Sequence, residues 1–479
     1  MINQFDPTSR PMLEGVQGNI LKAHGRHHTA NVFIRCNPDD ESATNTRAWL
    51  KSLVTNEVVK SAYTHLRNNA LFKSSGGEID TGLFACVHIS AAGYEYLFPD
   101  DARIGRFEAT FRNGMAGADL RDPDPALWEV GFRGEQHVMI LLAHANPAEL
   151  EKAVVDVQQA VCAFGFITTL ERGNALLNHA GAGIEHFGYV DGVSQPLFFE
   201  DEWDTYKQQN HIRSARDVLF DPRADKGLVL TADPFGNGDA NARGSYFVFR
   251  KLEQNVKGFK QAEANVASQL RLEGDDRERA GAMIVGRFED GTPAQMSDEE
   301  GLINSAMLNN FDYKTADGAS KCPFHAHIRK VNPRSGLLNG GMAEAKKHIM
   351  ARRGIPFGSR TDGPNDGQIY NKPEGGVGLL FMSYQASIRN QFEVIQHNWA
   401  NSEQTPDNDD PTGSGPTVGI DPVIGQGDGT RTGQFATVWG DRQSLTDALF
   451  PQFVTMKGGE YFFAPSMAFL NNINDIQQA

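Results

Sequence analysis

At 479 residues the chain exceeds what one hydrophobic core usually serves, so two domains or one duplicated domain is expected. Its 40% hydrophobic and 9% aromatic content can bury a large core, and its formal net charge of −15 argues against generic nucleic-acid binding, which needs a basic face. No apolar run is long enough to span a bilayer, so neither nucleic acid nor membrane is an expected partner.

The chain opens without a basic region followed by an apolar run, which argues against a secretory leader. Its four cysteines (Cys36, Cys86, Cys162 and Cys322) are scattered without paired spacing and read as reduced thiols, so a cytoplasmic location is expected. Residues 29–36 and 83–89 are short β-rich runs, and 137–144 carries a continuous Val-Met-Ile-Leu-Leu core. Helix punctuation follows, with Asn146 as N-cap, Pro147 at the first helical position and Glu149 in the first turn. Leu150, Val154, Val157 and Val161 then recur near helical spacing, Gly165 stops the element, and 166–170 reads as the next strand. The second half repeats the theme, with a strand at 245–250, a charged helix from about Gln254 to Leu272, and strands at 378–384 and 461–464. Strands mixed with amphipathic helices in this order predict an α+β fold with an antiparallel sheet. Asp, Gly, Asn and Pro cluster at 225–243, the expected boundary, and 403–433 is a loop of the length that commonly carries function.

Three segments carry candidate chemistry. In Phe187-Gly-Tyr-Val-Asp191-Gly192 a carboxylate stands among apolar neighbours, suited to proton transfer, although an isolated Asp-Gly is most often only a turn. In 321–334, His325 and His327 sit beside Cys322 and four basic side chains (Lys321, Arg329, Lys330, Arg334). Two histidines two apart share a face on a strand and diverge on a helix. A structural zinc site is disfavoured, since no second Cys/His pair has matching spacing. One imidazole on haem iron needs no local partner motif, and a histidine packed in the core fits the segment as well. In Arg352-Arg353-Gly354, a guanidinium near a loop suits a developing oxyanion, and a surface pair closing a helix is the plainer reading. Phosphate-loop, dinucleotide, zinc-protease and serine-hydrolase signatures are absent.

Together, and in this order, the three segments resemble the dye-decolorizing peroxidases, a haem peroxidase family. Gly188-Tyr-Val-Asp191-Gly192 is similar to that family's Gly-X-X-Asp-Gly signature, and Cys322 to Arg334 is similar to its axial-histidine segment, with His327 and not His325 on the ligand position. Arg352 falls on the distal arginine. Further blocks extend the resemblance over nearly the full length: Gly15 to Ile20, Phe111 to Met115 with Asp122 and Trp128, Gly286-Arg287 with Gly291 to Pro293, Gly378 to Gln385, Asp421 to Gly425, and Gly458 to Pro465. Gly354 stands where the compact subgroup has an asparagine, so the chain is similar to the longer bacterial and fungal subgroups.

The resemblance implies two ferredoxin-like domains, each an antiparallel β-sheet with flanking helices. Residues 1–235 would carry the distal Asp loop, and 236–479 would bind one haem b per chain. It implies a haem-dependent peroxidase that uses hydrogen peroxide to oxidise dyes, phenolics and similar aromatic small-molecule reductants through a ferryl intermediate, with homo-oligomerisation left open. His327 would ligate the iron, with Asp421 as first choice and Glu393 as second for the carboxylate behind it. Asp191 would move the peroxide proton and Arg352 would stabilise the separating charge. Leu379 and Phe381 would wall the distal pocket or serve as ordinary strand core, and Arg329 and Arg334 would pair with haem propionates or with surface acids. Aspartates ordinarily titrate near about 3.9, so an aspartate acid/base implies an acid-side optimum. Electrons from large dyes would hop through a surface aromatic, with Trp399, Trp439, Trp203, Tyr370 and Tyr461 as candidates. A chlorite-dismutase- or dechelatase-like protein and a haem carrier or sensor are the competing readings.

Overall fold

The computed structural model describes residues 1–301, 307–313, 319–337, 340–405 and 418–476 of the chain. Residues 406–417 of the expected loop therefore lie outside the described residues.

The first half runs β1 (His28–Cys36), α1 (Asp40–Thr55), α2 (Ala62–Ser74), β2 (Phe84–Ser90), β3 (Val138–His144), α3 (Pro147–Val161) and β4 (Gly165–Asn174). All seven residues of β3 are buried, as its continuous apolar run requires of a strand covered on both faces. The Asn146 side chain accepts from Ala148 N–H at 2.8 Å and starts α3, which buries Leu150, Ala153, Val154, Val157 and Val161 on one face. The helix closes earlier than expected, at Val161 with Cys162 as its C-cap, and Gly165 instead opens β4, which continues four residues past the expected end at 170. The strands pair antiparallel in the order β4-β1-β3-β2, the ferredoxin-like arrangement.

The second half repeats the arrangement. It runs β5 (Arg243–Gln254), α4 (Val256–Gln269), α5 (Glu278–Val285), α6 (His327–Val331), β6 (Ala351–Arg352), β7 (Ile355–Phe357), β8 (Gly378–Gln385), a π-helix at Ile388–Ala400 and β9 (Val454–Ala464). β9 pairs β5, β5 pairs β8, and β8 pairs both β6 and β7, which again places the fourth, first, third and second positions side by side. Phe462 and Phe463 of β9 stand opposite Ser90 and Ile89 of β2, so the two halves share one ten-stranded antiparallel sheet. The far ends of that sheet also meet, because Gly173 of β4 packs so closely on Ile355 of β7 that a Cβ there would lie 2.3 Å from it.

Alternation along β8 sets the functional face. Leu380, Met382 and Tyr384 are fully buried on one side. Leu379 and Phe381 project to the other, beside Arg250 and Leu252 of β5 and beneath the π-helix and α6.

Candidate active site

A cavity of about 1650 Å³ of atom-free space, open mouth included, lies on that face of the second half's sheet. Asp191, His327, Arg352, Leu379 and Phe381 all line it. The rest of the wall is mainly apolar and includes Phe187, Val285, Ile328, Val331, Phe392 and Ile395.

Asp191 is presented by a loop that leaves β4 and is built around a buried carboxylate. Glu185 accepts from Phe187 N–H at 2.8 Å and Tyr189 N–H at 3.1 Å, and its other partner is the Gln254 amide at 2.5 Å. Burial raises the Glu185 carboxyl above its ordinary range, and these bonds only partly offset the rise. Gly188 and Gly192 take positive φ, +102° and +76°, and a side chain at Gly188 would also strike Asn365. Asp191 N–H is held by Gly183 C=O at 3.0 Å, and its Oδ1 accepts from Gly192 N–H at 2.6 Å. Oδ2 makes no hydrogen bond to the described residues, so one carboxylate oxygen is left for the cavity.

Arg352 is on β6, opposite Ser383 of β8, and not at a helix end. Its Nη2 donates to Ser194 C=O at 3.4 Å. Arg353 turns away, donating to the carbonyls of Asn19 at 2.7 Å and Ile20 at 2.9 Å, and holds the amino-terminal segment in place.

The histidines separate because the helix begins between them. Ala326 is the N-cap of α6, so His327 opens the helix and His325 precedes it. His325 is buried edge-on to Phe435 at 4.6 Å, and burial pushes it down to about 3, a neutral core side chain. His327 faces the cavity with its side chain 22% exposed, and its Nδ1 lies 2.9 Å from Asp421 Oδ2. Asp421 is wholly buried, and its Oδ1 accepts from Val423 N–H at 2.7 Å and Ile424 N–H at 2.9 Å. Burial would raise the Asp421 carboxyl, but the facing imidazole and these N–H groups outweigh it and hold the group below its ordinary range. Burial would likewise lower His327, and Asp421 reverses the direction. With Nδ1 engaged, the opposite ring nitrogen is left for a ligand in the cavity. Glu393, the second choice, is occupied by Tyr461 Oη at 3.2 Å.

Cations line the same cavity. Arg250 is neutralised by a two-pronged pair with Asp122 at 2.6 and 2.7 Å. Arg287, Arg334 and Arg352 have no carboxylate partner among the described residues. Arg287 donates to the carbonyls of Gly291 and Leu308, and Arg334 to Asn309 C=O at 3.0 Å and Oδ1 at 2.9 Å. Burial, and then the Arg334 charge, push Arg287 down to about 9, and burial pushes Arg334 down to about 10, so both remain cationic at neutral pH. Three arginines on an otherwise apolar wall fit a large planar ligand that carries carboxylates, and a free imidazole nitrogen in the same space fits its iron. Haem meets both conditions. Arg329 does not line the cavity; it stacks on Phe324 at 4.1 Å and donates to Cys322 C=O at 2.6 Å. Arg287 was not singled out for this role by sequence reasoning, although Gly286-Arg287 is one of the blocks that carry the resemblance.

None of the five aromatic relay candidates lines the cavity. Tyr370 is 77% exposed, while Trp399 is buried edge-on to His348 at 5.1 Å. Trp203 lies under Arg223, Trp439 lies under Lys321 with Nε1 donating to Ala294 C=O at 2.8 Å, and Tyr461 is wholly buried.

The family model described as Dyp-type peroxidase, C-terminal, matches residues 221–412. The multifunctional dye peroxidase DyP2 of Amycolatopsis sp. is 41% identical over 471 residues, covering 96% of this chain and 96% of that protein. The dye-decolorizing peroxidase AauDyP1 of Auricularia auricula-judae is 30% identical over 390 residues, or 75% of this chain and 70% of that one. The solved DyP-type peroxidase of Anabaena sp. superposes with a TM-score of 0.87 at 35% identity, covering 98% of this chain and 97% of that chain. The chain belongs to the dye-decolorizing, DyP-type family of peroxidases.

Proposed function

We propose that the chain binds one haem b through His327 and uses hydrogen peroxide to oxidise dyes, phenolics and similar aromatic one-electron donors. The observation that carries this reading is the His327–Asp421 pair, set in one cavity with Asp191 and Arg352. Bound haem supplies the iron that exchanges electrons with peroxide and with the reductant. His327 would hold it, and the Asp421 carboxylate, accepting a hydrogen bond from Nδ1–H, fixes the ring and raises the basicity of the other nitrogen. Arg287 and Arg334 would hold its carboxylates, where the sequence pointed to Arg329 and Arg334. Leu379 and Phe381, which line the cavity, would exclude water from the space where peroxide reacts. Asp191 Oδ2 takes a proton from one peroxide oxygen and delivers it to the departing oxygen, which leaves as water. Arg352 stabilises the negative charge that gathers on that oxygen as the O–O bond breaks. Two reductant molecules each supply one electron, and two protons in all complete the reduction of peroxide to two waters.

The pairing of acid and arginine speaks for turnover and against a passive haem carrier. Asp191→Asn keeps the shape and removes the base, so kcat/KM for peroxide should fall by roughly 10²–10⁴-fold while haem content holds. Full activity in that variant would remove Asp191 from the proton transfer, and transfer of haem to apo-myoglobin within minutes without peroxide turnover would move the assignment to the carrier reading.

The division between the halves is placed at 235/236, supported by β5 opening at Arg243. All four cysteines are free, which supports a cytoplasmic location, and no helix among the described residues is long and apolar enough to cross a membrane.

A further inference from the structure

Arg352 stands opposite Ser383 of β8, but the flanking Arg353 N–H makes the sheet bond, to Met382 C=O at 2.7 Å. The N–H and C=O of Arg352 point to the outer edge of β6. There they meet the side chain of Gln195. Its Oε1 accepts from Arg352 N–H at 3.1 Å, and its Nε2 donates to Arg352 C=O at 3.2 Å, an oxygen that also accepts from Arg353 Nη1 at 2.7 Å. A primary amide carries a donor and an acceptor on adjacent atoms, as a peptide group does, so Gln195 completes the pairing of Arg352 where the sheet offers no further strand. An N–H can only donate, which fixes the orientation of the amide.

The neighbouring residue grips the other end of the same side chain, because Ser194 C=O accepts from Arg352 Nη2. Backbone and guanidinium of Arg352 are thus both held by the segment that follows Asp191. Ser194 Oγ in turn accepts from Asn332 Nδ2 at 3.4 Å, and Asn332 lies directly after α6, the helix that His327 opens. Ser194 lines the cavity and Gln195 does not.

We propose that Gln195 is the positioning residue for Arg352: it fixes the guanidinium relative to the carboxylate of Asp191, and so governs the peroxide half of turnover and not the donor half. The inference rests on the reading of Arg352 as the group that stabilises the departing oxygen. A misplacement of about 1 Å in such a group costs on the order of 10²-fold in rate.

The test uses the haem-loaded protein as wild type, Gln195→Leu, Gln195→Glu, Arg352→Leu and the double variant Gln195→Leu/Arg352→Leu. The rate of reaction with peroxide is followed by stopped flow, fluoride affinity by absorbance, and KM for an anthraquinone dye in steady state. Gln195→Leu should slow the peroxide reaction by roughly 10²-fold and weaken fluoride, an anion the guanidinium would hold, with dye KM unchanged. Gln195→Glu, which keeps the acceptor and loses the donor, should fall between wild type and Gln195→Leu, and it carries the comparison if Gln195→Leu does not fold. The double variant should be no slower than Arg352→Leu alone, because a residue that acts through Arg352 has nothing left to act on. A wild-type rate in Gln195→Leu beside a slow Arg352→Leu, or additive losses in the double variant, would overturn the role of Gln195 and leave that of Arg352 standing. A wild-type rate in Arg352→Leu would overturn the reading of Arg352 itself.

Discussion

At the scale of single residues, the site is governed by two buried charges with opposite requirements. Asp421 has all its partners supplied by the protein, a ring N–H and two backbone N–H groups. Replacing it with Asn leaves the shape and removes the charge that orients His327, so haem affinity should fall roughly 10–100-fold in a haem titration of the apoprotein. An unchanged affinity would detach Asp421 from the ligand. Arg334 has the reverse problem, a buried cation met among the described residues by neutral carbonyl groups and the faces of Phe220 and Phe311. The contact of Asp421 with His327 was legible in the sequence because the block of Asp421 carries the family resemblance. The choice of Arg329 was not resolvable there. Both arginines follow His327 closely, and what separates them is that Arg334 takes a left-handed backbone, φ +55°, while Arg329 lies on α6 and turns to Phe324 and Cys322.

At the scale of elements, the Asp191 loop is backed by a strap, residues 360–372. Arg360 donates to His186 C=O, and Asn365 donates to Gly188 C=O at 3.1 Å. Asp362 holds the strap together, receiving Arg360 at 2.7 Å and Lys372 at 3.1 Å. Burial would raise the Asp362 carboxyl, but its bonds to Arg360 and Lys372 outweigh it and keep the group below its ordinary value of 3.8. A depressed carboxyl contributes stability that is present above the unfolded value and lost as pH falls through the folded one. Amide exchange at 186–191 should therefore accelerate between about pH 5 and about pH 3, after correction for intrinsic rates. Asp362→Asn should show faster exchange already at the upper pH and little further change; the same acid dependence in that variant would contradict the strap's role. β3 and α3 were readable because a continuous apolar run and a full set of cap residues state them locally. The π-helix was not. Its buried face includes Gln391 and Gln396, whose amides donate to the carbonyls of Leu228, Ile349 and Ile424, and a π-winding does not follow the 3.6-residue repeat.

At the scale of the whole molecule, two ferredoxin-like halves share one sheet and one aromatic core. Phe33 of β1 packs on Phe249 of β5 at 4.8 Å and on Phe462 of β9 at 6.0 Å, so the first half's central strand is buried by the second half's. Calorimetry of the apoprotein should show one unfolding transition, shifted to lower temperature by Phe33→Ala, which removes about 3–5 kcal/mol. Two separated transitions would mean that the seam at Phe462 and Phe463 does not couple the halves. A duplicated α+β chain was legible from the repeated strand and helix pattern. The joining of the two sheets was not, because strand pairing between segments hundreds of residues apart leaves no local periodicity. The central claim is that His327, held by Asp421, is the iron ligand, and the absorption spectrum of haem-loaded His327→Ala beside His325→Ala tests it most directly. The account predicts a lost or displaced Soret band in His327→Ala and a wild-type spectrum in His325→Ala, and a wild-type band in His327→Ala would contradict it.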